Sequence, residues 1–434
     1  MSTDSERRVR ELVRAATDDI EPSPELDGRI RAIPATAPRR PHRLAAAAVA
    51  VLAVVAAAIV WVGVGADDSQ DVTPAEHAPT TSIPAFPTDR WTPLARPPVP
   101  VSSRAAVGVP GGAVFWELSD QDGSTDDKYA YLWHLDLATD EWTVAAHGAR
   151  RVPPGTVRWG VGDTIWTGDR VIALMYPSTT NEGRIAQLFE TVSWTPGDSE
   201  VERVASLEMP ADLTGAHPYA VRLVATGQGV AALISVQTST GESRTSVWSL
   251  DLDADSWRRL PDLPTTSDRV FSIDWTGEEL VVLAGRPTPM ATYYDGLDLF
   301  RLRPGDSTWR EAARPPDASE LSGQAADAAW DGRRLVVVSY APSAATWDPS
   351  TDTWSALPMP PIDAAEDYPR VQTSADGTVI ASLGVDAARL DRGGSTWTPL
   401  PASDLTATVA TDGALVGMGP TYESGPQTLS AIGF

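Results

Sequence analysis

Cysteine is absent from this chain of 434 residues, Lys128 is its only lysine, and it holds just five histidines and six phenylalanines. Without cysteine there is no disulfide framework, no thiolate metal site and no cysteine nucleophile. The histidines, His42, His77, His134, His147 and His217, form no metal-spaced pair, so a histidine-held metal is not expected. Asp120, Asp122, Asp126 and Asp127 surround Gly123, but their spacing is not that of a calcium-binding EF-hand loop. No nucleophile elbow or phosphate loop occurs in a fitting context. The reading is therefore of a chain with no cofactor, no metal and no catalytic residue set. What it has instead is acid: 58 Asp and Glu against 34 Lys and Arg, a net charge of −24. Long-range repulsion disfavours nucleic acid and anionic lipid surfaces as partners. Basic residues that are almost all arginine, together with abundant alanine, suggest a GC-rich bacterial genome.

Four segments are expected. Residues 1–43 read as a cytoplasmic tail. Thr3 and Glu6 fit a capping box, with Val9, Leu12, Val13, Ala16 and Ile20 on one helical face. A second short helix starts at Ser23-Pro24. Residues 44–65 are an uncharged run of Leu, Ala, Val, Ile and Gly ending near Trp61. As a helix it would span roughly 33 Å, enough for a bilayer core of about 30 Å. Arg39, Arg40 and Arg43 precede it, while Asp67 and Asp68 follow. The positive flank places the N-terminus in the cytoplasm and everything after the span outside. A signal peptide cut near Val64-Gly65-Ala66 is the competing reading, but the run is longer than a signal core. Residues 66–89 carry Pro74, Pro79, Pro84 and Pro87 and read as an extracytoplasmic linker. The expected localisation is thus a bacterial cell membrane, single-pass, with residues 90–434 extracytoplasmic.

Residues 90–434 are β throughout and repeat. Thr346-Trp347-Asp348-Pro349-Ser350-Thr351-Asp352-Thr353-Trp354 reads as strand, tight turn and strand. Relatives run from Leu135-Asp136 to Trp142, Leu250-Asp251 to Trp257, Leu302-Arg303 to Trp309 and Leu390-Asp391 to Trp397, with a weaker copy after Trp194. Between them lie seven small turns, each before an apolar run: Gly111-Gly112, Gly168-Asp169, Gly227-Gln228-Gly229, Gly277-Glu278, Asp331-Gly332, Asp376-Gly377 and Asp412-Gly413. Such dipeptides close hairpins. A period of roughly 50 residues signals a propeller. Each unit has four strands, a to d, with d opening on the Trp. The seventh unit runs out of chain after its third strand, in Leu429–Phe434. Arg90-Trp91-Thr92-Pro93-Leu94 carries the d signature with no a, b or c before it. The spacing predicts an all-β, seven-bladed β-propeller of four-stranded blades, closed by its N- and C-terminal strands.

These residues resemble the kelch family. The match is strongest at Trp347-Asp348 to Trp354, and Arg104 and Arg370 resemble the arginine that opens a kelch repeat. The Gly doublet after the second strand is not kept. Arg392-Gly393-Gly394-Ser395-Thr396-Trp397 is similar to the Asp-box of sialidase-like propellers. The galactose-oxidase relatives of kelch would imply copper-radical oxidation, which needs a Cys-linked Tyr, and this sequence has no cysteine. The Trp residues read as inter-blade packing.

An up-and-down order puts the a–b and c–d turns on one face and the b–c and d–a loops on the other. Long excursions expected on the second face make it, and the channel mouth, the binding face. Arg104, Arg222 and Arg370 on inner strands suit a carboxylate, sulfate or acidic glycan. Tyr293 and Tyr294 beside Asp295 form an aromatic platform, joined by Tyr219 and Tyr368. The function this supports is a membrane-tethered module binding a protein or glycan. The alternative is a glycosidase-like propeller enzyme, for which Asp295, Glu366 and Asp367 have no evident pairing. The third is a sensor with the tail as output.

Overall fold

A computed structural model describes residues 85–98, 101, 106–119, 127–151, 158–178, 188–209, 217–237, 242–265, 267, 269–287, 294–315, 321, 326–339, 343–362, 369–405, 407–419 and 428–434. The expected cytoplasmic tail, the apolar run at 44–65 and most of the linker lie outside them. Among the described residues no helix is long and apolar enough to cross a membrane.

Seven four-stranded antiparallel sheets form the blades. Strand β1 (Thr92–Pro93) comes first in the chain and belongs to the last blade. Blade 1 holds β2 (Ala106–Val109), β3 (Gly112–Ser119), β4 (Asp127–Asp136) and β5 (Glu141–Arg151). Blade 2 holds β6 (Arg158–Trp166), β7 (Val171–Ser178), β8 (Leu188–Trp194) and β9 (Glu202–Glu208). Blade 3 is β10 (His217–Thr226), β11 (Gly229–Gln237), β12 (Ser243–Asp251) and β13 (Ser256–Arg259). Blade 4 is β14 (Val270–Trp275), β15 (Leu280–Pro287), β16 (Tyr294–Leu302) and β17 (Arg310–Glu311). Blade 5 is β18 (Ala326–Trp330), β19 (Leu335–Ser339), β20 (Ser343–Asp348) and β21 (Thr353–Leu357). Blade 6 is β22 (Arg370–Thr373), β23 (Val379–Leu383), β24 (Asp386–Leu390) and β25 (Trp397–Pro399). Blade 7 is β26 (Ala407–Ala410), β27 (Ala414–Met418) and β28 (Leu429–Gly433), completed by β1.

The closure is as expected. Thr92 pairs with Ala431 and Pro93 with Ser430, and Leu94 N–H extends the ladder to the Leu429 carbonyl. Pro93 sits on an outer edge, where a missing N–H costs nothing. The innermost strands β2, β6, β10, β14, β18, β22 and β26 each contact the next, and β26 returns to β2. The ring is complete.

The hydrophobic core is divided into seven clusters, one per blade-to-blade interface. This explains why second strands read as unbroken apolar runs. In β11, Val230, Ala232, Ile234 and Val236 pack toward blade 2, whereas Ala231 and Leu233 pack toward blade 4. A strand covered on both faces has no polar side to show.

The repeated Asp–turn–Trp cassette has a structural job. Its first aspartate caps the turn: Asp136 accepts the N–H groups of Ala138 and Thr139, and Asp251 those of Asp253 and Ala254. Four residues on, Asp140, Asp255 and Asp352 take left-handed backbone at φ 58°, 48° and 51°, a region aspartate tolerates better than most residues. The closing Trp then reaches to the preceding blade. Trp142 Nε1 donates to Ala95 O, Trp309 to Pro261 O, Trp354 to Ala313 O, Trp397 to Pro358 O and Trp91 to Pro401 O. At two interfaces the left-handed aspartate adds a second contact, Asp140 accepting Ala95 N–H and Asp352 accepting Ala313 N–H. Trp257 departs from the rule and donates to Thr191 Oγ1 on β8.

The two faces are less cleanly divided than the sequence reading had it. The connection between β23 and β24 on the loop side is only Gly384-Val385, while that between β16 and β17 on the turn side runs through residues 303–309.

Candidate functional site

The inner strands carry polar and charged side chains that reach from one blade to the next. Asp163 lies on β6, and its Oδ1 accepts the N–H of Thr164 beside it. Its Oδ2 crosses to the next blade and accepts Leu223 N–H at 2.7 Å. Asp327 on β18 repeats the pattern: Oδ1 takes Ala328 N–H, and Oδ2 takes Val371 N–H of the next blade at 2.9 Å. Gln372 on β22 does the same for Ala410 N–H through its Oε1. Inner strands are sheet edges, so their outward N–H groups need acceptors. These side chains supply them and hold adjacent blades in step.

Close strand approach makes this possible. A β-carbon on Gly162, beside Asp163, would meet the Val221 side chain, and one on Gly108 would meet the Ala410 carbonyl. A register shift at Gly162 in the β6–β7 ladder aims Asp163 across the interface; re-aiming a side chain is what a bulge does.

Burial pushes the Asp163 and Asp327 carboxyls above the usual carboxylate range, opposed by the charges of Arg222 and Arg370 and by the N–H groups they accept. Arg222 on β10 and Arg370 opening β22 each act on both aspartates. Four residues from blades 2, 3, 5 and 6 therefore form one electrostatic group around the axis, two acids alternating with two bases. Asp274 on β14 stands apart. Burial, and after it the charge of Asp327, pushes its carboxyl up to about 8, with the Trp330 N–H as a partial counterweight. Its Oδ2 is enclosed without a hydrogen-bond partner among the described residues.

Of the residues anticipated as ligand contacts, Arg222 and Arg370 are exposed on inner strands and lie in this group. Tyr219 is on the same strand as Arg222 and is 51% exposed. A register shift between Pro218 and Ala220 takes it out of the ladder. Tyr294 and Asp295 open β16, the third strand of blade 4, at its loop-side end, which sets them away from the innermost ring. Arg104, Tyr293 and Tyr368 lie outside the described residues. The sequence reading missed Asp163, Asp274 and Asp327. A signal was present: Asp163 and Asp327 each stand three residues before a tryptophan, Trp166 and Trp330, on equivalent strands.

The remaining surface is sorted by face. Large exposed apolar side chains among the described residues are Tyr219, Met359 and Val385. All three sit at loop-side ends: the start of β10, the segment after β21 and the connection between β23 and β24. The turn side instead exposes acid, including Asp169, Asp198, Glu200, Asp253, Asp255 and Glu278. Among the described residues no group of three or more His, Asp or Glu is arranged to hold a metal ion.

No family model matches this chain, and no curated protein matches it either. Solved structures do. PorZ, a surface component of the type IX secretion system of Porphyromonas gingivalis, matches with 12% identity over 79% of this chain and 39% of its own, at a TM-score of 0.43. This chain thus spans about two fifths of PorZ. The β-propeller domain of the Trilobed protease from Pyrococcus furiosus matches at 11% identity, 75% and 93% coverage and a TM-score of 0.44. TolB from Acinetobacter baumannii matches at 11% identity, 73% and 79% coverage and a TM-score of 0.38. The number of blades and their closure rest on the strand ladders of this chain alone.

Proposed function

We propose that this protein is a membrane-tethered, extracytoplasmic binding or scaffold module of kelch type that engages a protein or glycan through its loop face. The observation that carries the reading is the placement of Tyr219, Met359 and Val385, the large exposed apolar side chains among the described residues, all on that face. Apolar surface concentrated on one side marks an interaction site more often than scattered residues do. The chain enters β1 from the turn side, where Pro87 O accepts Gly433 N–H at the end of β28.

The test applies the full chain in detergent micelles to an array of glycans and surface-protein fragments, as wild type and as two variant sets. Tyr219→Ala with Val385→Asp is expected to abolish capture, while Asp253→Lys with Asp255→Lys leaves it intact. The reverse pattern would overturn the choice of face. Protease treatment of intact spheroplasts is expected to release residues 90–434 by cleavage in the linker; an inaccessible linker would overturn the localisation.

One observation favours a second reading, a glycosidase-like enzyme. Asp274 protonated beside Asp327 is the kind of split pair that acid–base hydrolysis uses. Against it, Asp274 Oδ2 is closed to solvent and both Asp327 oxygens already accept backbone N–H groups. Release of nitrophenol from nitrophenyl glycosides, lost in Asp327→Asn, would establish the enzyme.

A further inference from the structure

We propose that Asp412-Gly413, the hairpin turn of the last blade, is a site of spontaneous aspartyl isomerisation, a chemical ageing point set beside the seam of the ring.

Three Asp-Gly pairs occupy the same place in the repeat, the turn between the first and second strands of blades 5, 6 and 7. Two of them are guarded. Asp331 is fully buried, its Oδ1 accepts the N–H groups of Arg333 and Arg334, and its Oδ2 accepts Arg334 Nε. Asp376 accepts Ser374 Oγ and Thr378 N–H at Oδ1 and Thr378 Oγ1 at Oδ2, while the Gly377 N–H donates to Ser374 O at 2.9 Å. The third is open. Asp412 and Gly413 are both exposed, and among the described residues neither the Asp412 carboxyl nor the Gly413 N–H has a hydrogen-bond partner. Gly413 has φ 80°, with no atom within 4 Å of where a β-carbon would stand. A fourth described pair, Asp295-Gly296, lies within β16, where Gly296 is buried.

The chemistry uses only the chain and water. The Gly413 backbone nitrogen attacks the Asp412 side-chain carboxyl carbon, a C–N bond forms, and the nitrogen's proton leaves with a carboxyl oxygen as water. The five-membered succinimide then takes water back. Opening at the side-chain carbonyl restores aspartate, and opening at the main-chain carbonyl leaves isoaspartate, with one more backbone carbon and no change in mass. Partial desolvation, and after it the charge of Asp376, raises the Asp412 carboxyl, which favours the acid form whose hydroxyl can leave. At Asp331 and Asp376 the carboxyl must first give up hydrogen bonds, and breaking even one slows ring closure by about tenfold.

The position gives the change a consequence. Thr411 N–H and Oγ1 both hold the Ala414 carbonyl, at 2.8 and 2.9 Å, so the ends of the turn are pinned around the two reacting residues. The Gly413 carbonyl accepts Phe434 N–H, and Ala414 pairs with Gly433 on β28, the strand to which β1 is added. An extra backbone carbon between pinned ends displaces these contacts.

The experiment incubates the full chain at neutral pH, folded and in urea, and labels isoaspartate with L-isoaspartyl methyltransferase and tritiated S-adenosylmethionine. Trypsin puts the three turns on separate peptides, and each turn is read against its own rate in urea. In the folded chain Asp412 is expected to exceed Asp331 and Asp376 by about tenfold or more. Asp412→Glu is expected to abolish the label on the C-terminal peptide, because the larger glutamyl ring closes far more slowly. Equal relative labelling of the three turns, or a C-terminal label kept in Asp412→Glu, overturns the site. If Asp412→Glu does not fold, the folded-to-urea ratios of the wild type decide alone. Aged wild type is expected to unfold at lower urea than fresh protein; a transition unmoved by isomerisation overturns the link to the seam.

Discussion

The two faces of the ring are built from the same strands yet follow different rules. On the turn side, beside its exposed acids, several charged side chains are committed inward. Asp331 is fully buried and accepts Arg333 N–H, Arg334 N–H and Arg334 Nε, while Arg334 also donates to the Gly394 carbonyl of the next blade. Glu279, 2% exposed, pairs with Arg301 at 2.6 Å, and Arg301 lies over the Trp347 ring. On the loop side Tyr219, Met359 and Val385 are turned outward. The bracing contacts and the large exposed apolar side chains of the described residues thus fall on opposite faces. One set of turns braces the wheel, which leaves the opposite rim to vary in sequence without loss of the fold.

Substitutions can break or sharpen that contrast, and the largest effect is expected at the seam. Removing residues 85–94 deletes β1, the Trp91 bond to Pro401 and the Leu94 packing. A loss on the order of 5 kcal/mol or more is expected, read as a collapse of the cooperative urea transition. Next comes Asp331→Ala, which strands buried N–H groups and the Arg334 guanidinium. A cost of about 3–5 kcal/mol is expected by the same denaturation.

The third test is pH. Because burial pushes the Asp274 carboxyl up to about 8 in the folded protein, above the ordinary carboxylate range, the folded state holds a proton that the unfolded state releases. Stability should therefore fall as pH rises from about 4 to about 8, by up to roughly 1.4 kcal/mol per unit. Asp274→Asn should remove that slope, as thermal melts across the range would show. A slope that persists in the variant would refute the assignment.

Smaller still is Trp397→Phe, which loses one hydrogen bond to Pro358 O and should cost about 1 kcal/mol. The smallest effect belongs to the loop side. Tyr219→Ala and Val385→Asp should stay within about 0.5 kcal/mol of wild type. If either costs more than Trp397→Phe, the division of labour between the faces is wrong.

Architecture was legible because it repeats. The spacing of Asp136, Asp251 and Asp348 to Trp142, Trp257 and Trp354 announces one local geometry three times, and the orphan Trp91 pointed to the seam. The channel was much less legible. An aspartate in a strand of apolar residues, such as Asp327 in Ala-Asp-Ala-Ala-Trp, reads as a pleat facing water. Its true target, Val371 N–H, lies 44 residues away on another blade. Local pattern carries no information on such a contact. Register shifts compound the difficulty: at Gly162 and between Val270 and Ser272 an extra residue changes which side the following side chains take, and parity counted from a turn then misleads. Arg222 and Arg370 were found because arginine is conspicuous on an inner strand. Their acidic neighbours were not.

The tryptophans that reach from one blade to the one before it all point the same way round. Trp142 leans on the tail of the last blade, Trp309 on the third, Trp354 on the fourth, Trp397 on the fifth and Trp91 on the sixth. They hold five successive joints, from the third blade round through the seventh to the first, and Trp257 on Thr191 adds the joint between the third blade and the second. A linear array can fray from an end, whereas here the inner strands bring the last sector back against the first.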